Sequence, residues 1–168
     1  MKKIEIITKI YSVTFAELSS DEKEMVRTAR YATKNSHSPY SDFKVGCAVK
    51  LKQGPIISGA NQENAAYPSG LCAERTTIFS VMNDGHKKNI EKIAVTARPG
   101  DVENYVGSQP VGPCGACRQV MKEAEDLAGK PITIILDCFN DFKIIRIEGM
   151  DSILPLSFGP NDLGITLS

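Results

Sequence analysis

The sequence predicts an α/β domain in which helices cover a mixed β-sheet. Three observations carry this. From residue 20 onward the periodic segments run helix, strand, strand, helix, strand, helix, strand, strand, which gives two strand–helix–strand crossovers. A length of 168 residues suits one domain, long enough to bury roughly two-thirds of its unfolded surface. No internal repeat or low-complexity linker divides the chain, so residues 1–168 read as a single domain with an N-terminal extension over 1–18.

Each element has a local cause. Ile4, Ile6, Thr8 and Ile10 alternate with Lys3, Glu5 and Lys9, so residues 2–13 read as an added edge strand or a subunit contact. Ser19 or Ser20, followed by Asp21, Glu22 and Glu24, starts a helix whose buried stripe is Met25, Ala29 and Ala32. Asn35-Ser36-His37-Ser38-Pro39 stops it. Phe43 to Leu51 and Ile56 to Ala60 form a hairpin about Gln53-Gly54-Pro55. A polar stretch from Asn61 to Tyr67 follows, at the end of a strand where binding side chains collect. Leu71, Ile78, Phe79 and Met82 mark the apolar side of a second helix, which ends near Asn83-Asp84-Gly85. Ile90 to Ala97 is a strand, 98–110 a loop, and Gly115, Val120, Met121, Ala124 and Leu127 mark a third helix. Ile132 to Leu136 and Phe142 to Ile147 are the last strands, and the apolar tail is broken by Pro155, Gly159, Pro160 and Gly164.

Composition narrows the function. Twenty basic and twenty acidic residues cancel, whereas a protein that wraps nucleic acid shows a net positive stripe. The Lys2-Lys3 and Lys87-Lys88 pairs read as solvated ends and turns. No apolar run of roughly 18 residues is present, so no membrane-spanning helix is expected. The N-terminus lacks the apolar core of a signal peptide, and five cysteines then point to reduced thiols or metal ligands in the cytoplasm.

Two short segments carry the chemistry. Ser69-Gly70-Leu71-Cys72-Ala73-Glu74-Arg75 and Pro113-Cys114-Gly115-Ala116-Cys117-Arg118 together supply three cysteines, one glutamate and two arginines. Cys114 and Cys117 have the spacing that lets both sulfurs reach one ion, and Cys72 brings a third from a separate element. Three protein ligands and an open fourth position describe a catalytic zinc rather than a structural one. Cys72 and Cys114 fall where helices begin, so free N–H groups face their sulfurs. Arg75 and Arg118 follow their motifs and are expected to donate charged hydrogen bonds to the thiolates, offsetting the net negative charge of three thiolates around a divalent ion. Glu74, two positions after Cys72, is the candidate for proton transfer.

The pairing of Cys-Ala-Glu with a downstream Pro-Cys-x-x-Cys resembles the zinc-dependent cytidine deaminases. Having cysteine rather than histidine at position 72 resembles the three-cysteine, free-nucleoside branch. The likeness continues through Ser41-Asp42-Phe43-Lys44-Val45-Gly46 and Asn61-Gln62-Glu63-Asn64-Ala65-Ala66-Tyr67, and runs from about residue 22 to 163. It implies a three-layer α-β-α sandwich around a five-stranded mixed sheet. It also implies hydrolytic deamination of cytidine and deoxycytidine by zinc-activated water, with Glu74 as the proton shuttle and one zinc per chain. On the same likeness, Asn61 and Glu63 bind the ribose 3′-hydroxyl, Phe43 borders the base, and the N–H of Ala73 holds the pyrimidine 2-oxo group. Ala65, Tyr67 and Phe158 match positions that reach a neighbouring subunit's nucleoside in a homotetramer with shared active sites. The tail around Phe158 differs in length from the short members of the family.

No glycine-rich phosphate loop or compact arginine cluster accompanies Asn61 and Glu63, and Glu63 would repel a nearby phosphate. Free nucleosides are therefore favoured over nucleotides. Other readings stay open: deamination of a cytosine-containing antibiotic or modified nucleoside, a structural-zinc interaction module, and a thiol redox protein built on Cys114-x-x-Cys117. Cys47 and Cys138 fall in apolar strands and read as small buried hydrophobes. His37 and His86 sit in turns and read as solvent-facing.

Overall fold

A computed structural model describes residues 1–100, 102 and 104–167. The strands are β1 (Ile10–Val13), β2 (Phe43–Leu51), β3 (Ile56–Ala60), β4 (Ile90–Pro99), β5 (Thr133–Asp137) and β6 (Ile144–Glu148). The helices are α1 (Ser20–Ala32), α2 (Ala73–Asn83) and α3 (Gly115–Ala128). The sheet has six strands in the order β1-β6-β5-β4-β2-β3, where five were expected. β2 to β6 form the expected set, and the sixth is the N-terminal segment, which adds antiparallel to β6. Only Ile10–Val13 of the predicted residues 2–13 pairs in this way. β4 and β5 are the parallel pair, and the other neighbours are antiparallel.

α1 begins with a reciprocal cap: the Ser19 hydroxyl accepts from Glu22 N, and the Glu22 carboxylate accepts from Ser19 N at 3.0 Å. Met25, Ala29 and Ala32 are buried as their spacing predicts. Met25 and Ala29 pack on one side of the sheet with Ala48 and Ala94. A Cβ at Gly46 would lie 2.0 Å from the Ala29 carbonyl oxygen, so only glycine lets the helix backbone lie this close.

α2 and α3 cover the other face, over Cys47, Val49, Ile93, Val95 and Leu136. The apolar stripe of α2 differs from expectation. Its buried residues are Ala73, Glu74, Thr77, Ile78 and Val81, whereas Phe79 is exposed. The rotation is set by close approach to β3, where a Cβ at Gly59 would lie 2.7 Å from Thr77 Oγ1. α3 ends at Gly129, which takes the left-handed conformation (φ 68°) that closes a helix. Helices on both faces of one mixed sheet make the three-layer α/β architecture that the sequence implies.

Candidate active site

The metal-ligand candidates come from two helix starts. Cys72 is the N-cap of α2 and Cys114 the N-cap of α3, and both have extended backbone. Cys117 lies one turn into α3 and is fully buried. The two helices pack beside each other, which brings the three Sγ atoms together. Cys72 and Cys114 sulfurs are 3.9 Å apart, and those of Cys114 and Cys117 3.4 Å. Sulfurs about 2.3 Å from a tetrahedral ion stand about 3.8 Å from one another, so the donor set fits zinc.

Arg75 Nη2 approaches Cys72 Sγ at 3.8 Å and the Gly70 carbonyl at 3.3 Å. Its Nε is buried without a partner among the described residues. Hydrogen bonding with Cys117 and then with Arg75 pushes the Cys72 thiol down, toward the thiolate form a metal requires. Arg118 differs from expectation. Its guanidinium donates to the carbonyls of Pro113 and Ile153, each at 2.9 Å, rather than to sulfur. It thereby braces the turn before Cys114 against the C-terminal tail.

Glu74 is only 4% exposed. Burial, then the negative charge of Cys72, raise its pKa above the ordinary carboxylate value. It lines a cleft of about 780 Å³ together with Cys72, Cys114, Phe43, Asn61 and Glu63. The predicted site residues Ala65, Ala73, Cys117, Arg118 and Phe158 do not line this cleft. Ala73 is buried at the first turn of α2, Ala65 is exposed, and Phe158 is exposed in the tail, its carbonyl accepting from Gln119 Nε2 at 2.9 Å.

Asn61 and Glu63 are held by backbone as much as by side chains. Gln62 N donates to Leu71 O at 2.8 Å and Leu71 N to Gln62 O at 2.9 Å, which ties their segment to the residue before Cys72. On the other side, His37 N donates to Asn61 O at 3.0 Å and Glu63 N to His37 O at 2.8 Å. The Asn61 Oδ1 accepts from Val45 N at 2.8 Å and Ser36 Oγ at 2.6 Å, and its Nδ2 donates to Phe43 O at 2.9 Å. One Nδ2 hydrogen is left for a ligand. Glu63 accepts from Tyr40 N at 2.9 Å, Ser41 N at 3.3 Å and the Ser41 hydroxyl. These bonds, the Ser41 hydroxyl first, hold its carboxyl below the ordinary range, so it stays an acceptor.

Sequence reasoning missed Tyr40, Val95 and Val111, which also line the cleft. Val95 sits opposite Cys47 in the β2–β4 register, and alternation along β4 could have placed it. Tyr40, in a turn, meets Tyr67, at the start of a single 3-10 turn, edge to face at 5.6 Å, a contact that no periodicity encodes. Cys47 and Cys138 are fully buried as expected, and burial pushes both thiols up. His37 is exposed and His86 partly so.

Three converging cysteine sulfurs beside a buried carboxyl, at the starts of two helices on a mixed sheet, define a metal-dependent hydrolytic centre of the zinc deaminase class. The model of the cytidine and deoxycytidylate deaminase zinc-binding region matches residues 19–128. Cytidine deaminase of Halalkalibacterium halodurans is 42% identical over 103 residues, covering 61% of this chain and 71% of its own. That of Sporosarcina psychrophila is 40% identical over 143 residues, covering 85% and 95%. The crystal structure of cytidine deaminase from Burkholderia pseudomallei superposes with a TM-score of 0.69 at 33% identity, over 81% of this chain and 98% of its own. The chain belongs to the zinc-dependent cytidine deaminase family.

Proposed function

We propose that the protein catalyses hydrolytic deamination of cytidine and deoxycytidine, giving uridine or deoxyuridine and ammonia. The carrying observation is the convergence of the Cys72, Cys114 and Cys117 sulfurs, with Cys72 and Cys114 lining the same cleft as the buried Glu74 and Cys117 buried behind them. Cys72, Cys114 and Cys117 would hold the zinc, which would supply a Lewis acid able to lower the pKa of water from about 15.7 toward 7. Glu74 takes a proton from the attacking water, delivers it to ring N3, and later carries one to the departing amine. Protonation at N3 drains electron density from C4, so acid assistance and nucleophile activation fall to one carboxyl. Burial raises its proton affinity, which suits a group that must hold a proton between steps.

Asn61 offers one N–H to the ribose 3′-oxygen, and Glu63 accepts from the 3′-hydroxyl. Phe43, on the cleft wall, borders the base; the 2-oxo group is assigned by family likeness to the N–H of Ala73, at the uncapped start of α2 beside the cleft-lining Cys72 and Glu74. Arg75 tempers the charge on sulfur, while Arg118 positions the turn that carries Cys114. Tyr67, 74% exposed at the cleft rim, Ala65 and Phe158 suit contacts with a neighbouring subunit in a homotetramer. Among the described residues no helix is long and apolar enough to cross a membrane. The five free cysteines suit work in the cytoplasm.

The test combines zinc content with ammonia release from cytidine, deoxycytidine, cytidine monophosphate and a cytosine-containing antibiotic. Stoichiometric zinc with turnover of the two nucleosides is expected. Zinc-loaded protein that releases no ammonia from either nucleoside would overturn the reading.

A further inference from the structure

The N-terminal extension lies outside the chemistry, and its design is unexplained by a single chain. β1 is the outer strand of the sheet, at the edge opposite β3. Its ladder with β6 covers Ile10 to Val13, and residues 1–8 run on past it with no backbone hydrogen bond among the described residues. Ile4 is 82% exposed and Ile7 88%. A long β-branched edge with open N–H and C=O groups is a template for another strand.

We propose that residues 1–13 pair antiparallel with the same residues of a second copy of this chain, about a twofold axis at Ile7. Backbone parity supports this. The Lys9 carbonyl accepts from Glu148 N at 3.0 Å, and its N–H donates to Ser152 Oγ at 3.1 Å, so Lys9 turns both backbone groups inward. Ile10 accordingly directs its groups to the open edge, and a strand continued through residues 4–8 would have Ile4, Ile6 and Thr8 do the same. An axis at Ile7 opposes Ile4 to Ile10 and Ile6 to Thr8, which are the residues able to exchange ladder bonds.

Charge then selects this axis among the registers that parity allows. About Ile7, Glu5 of each copy stands opposite Lys9 of the other, in the closely spaced kind of pair where side chains meet best. An axis at Ile6 would oppose Lys3 to Lys9, and one at Glu5 would oppose two glutamates. An axis at Thr8 leaves Glu5 opposite Tyr11. An axis at Ile4 opposes Lys3 to Glu5 but sets Ile4 against itself, so it cannot extend the apolar layer of Ile10 and Ile147. Side-chain packing agrees with the choice. Ile10 lies opposite the core residue Ile147, so Ile4 of the second copy would extend the same apolar layer. The contact uses one patch twice, as a twofold interface must. It sits at the opposite sheet edge from β3 and is independent of the shared-cleft assembly proposed above.

The test uses the full, zinc-loaded chain. Ile7→Cys places two thiols on the axis, about 4.5 Å apart between Cα atoms, within disulfide reach. Under mild oxidation it is expected to give a covalent dimer absent from the parent chain, while Ile4→Cys does not. Adding Glu5→Lys should slow the linkage about tenfold, since two attractive pairs become repulsive, and Glu5→Lys with Lys9→Glu should restore it. Deaminase activity is expected to be unchanged throughout. Failure of Ile7→Cys to link beyond the parent, stronger linkage through Ile4→Cys, or indifference to Glu5→Lys would each overturn the proposal.

Discussion

The Asn61 Oδ1 accepts the Val45 N–H at 2.8 Å, so a residue assigned to the sugar also staples β3 to β2. With Ser36 and Phe43 as its other partners, the amide keeps one hydrogen without a partner among the described residues, the one proposed for the sugar. Asn61→Ala should therefore damage folding as well as binding. Leaving the Val45 N–H and Phe43 carbonyl without these partners is expected to cost about 1–3 kcal/mol for each group that stays dry. Thermal or urea unfolding, measured beside KM, checks this; a change in KM at unaltered stability would contradict the stapling role.

Glu74→Gln keeps the size of the side chain but removes its capacity to take up a proton. Zinc should remain at one per chain while kcat falls by about 10²- to 10⁴-fold. Metal analysis and ammonia release on the same sample read both quantities, and near-normal turnover would remove Glu74 from the reaction.

Arg75 and Arg118 should separate by metal affinity. Arg75 touches Cys72 sulfur, and Arg75→Gln is expected to weaken zinc about 10- to 100-fold. Among the described residues Arg118 donates to two carbonyls and to no sulfur, so Arg118→Gln should leave zinc affinity closer to that of the parent and loosen the tail at Ile153. Chelator competition and hydrogen exchange near Ile153 distinguish the two outcomes.

The start of α1 predicts an acid dependence. A hydrogen bond with the Ser19 hydroxyl, then contact with Lys92 at 2.9 Å, lower Asp21 from 3.8 to about 2. A depressed folded-state value means that its contribution is complete above pH 3.8 and is lost as pH falls through about 2. Asp21→Asn should thus unfold more easily than the parent at pH 5 and lose that disadvantage toward pH 2. Denaturant midpoints across this range provide the measurement.

Gly46→Ala tests the layer contact directly. The added methyl would meet the Ala29 carbonyl at 2.0 Å, between backbone atoms that cannot turn aside. A loss of about 1–3 kcal/mol in unfolding free energy is expected. Stability equal to that of the parent would mean that α1 shifts freely on the sheet.

Much of this was legible in the chain because local rules and tertiary structure agree. Ser19 and Glu22 announce their helix, Gln53-Gly54-Pro55 its hairpin, and the cysteine spacing its convergence. Phe79 was misplaced because periodicity fixes a helix's apolar stripe less firmly than the tight approach of Gly59 to Thr77 does. The double duty of Asn61 and the carbonyl partners of Arg118 depend on segments far apart in sequence. Tyr40 and Val111 reach the cleft from loops, where no repeat marks direction. The sixth strand was visible as β-branched alternation, but its length was not, since β6 supplies a partner only as far as Glu148.

Both α2 and α3 begin at a cysteine that makes no side-chain cap bond, where serine or aspartate would stabilise by about 1 kcal/mol. The protein thus forgoes ordinary helix capping at the two places where its sulfurs must remain free. Metal uptake then couples reactivity to integrity, because the same ion that equips the centre also rivets together two otherwise loose helix ends. Chelation should accordingly fray the molecule from its working end outward, with α1 and its capped start the last part to yield.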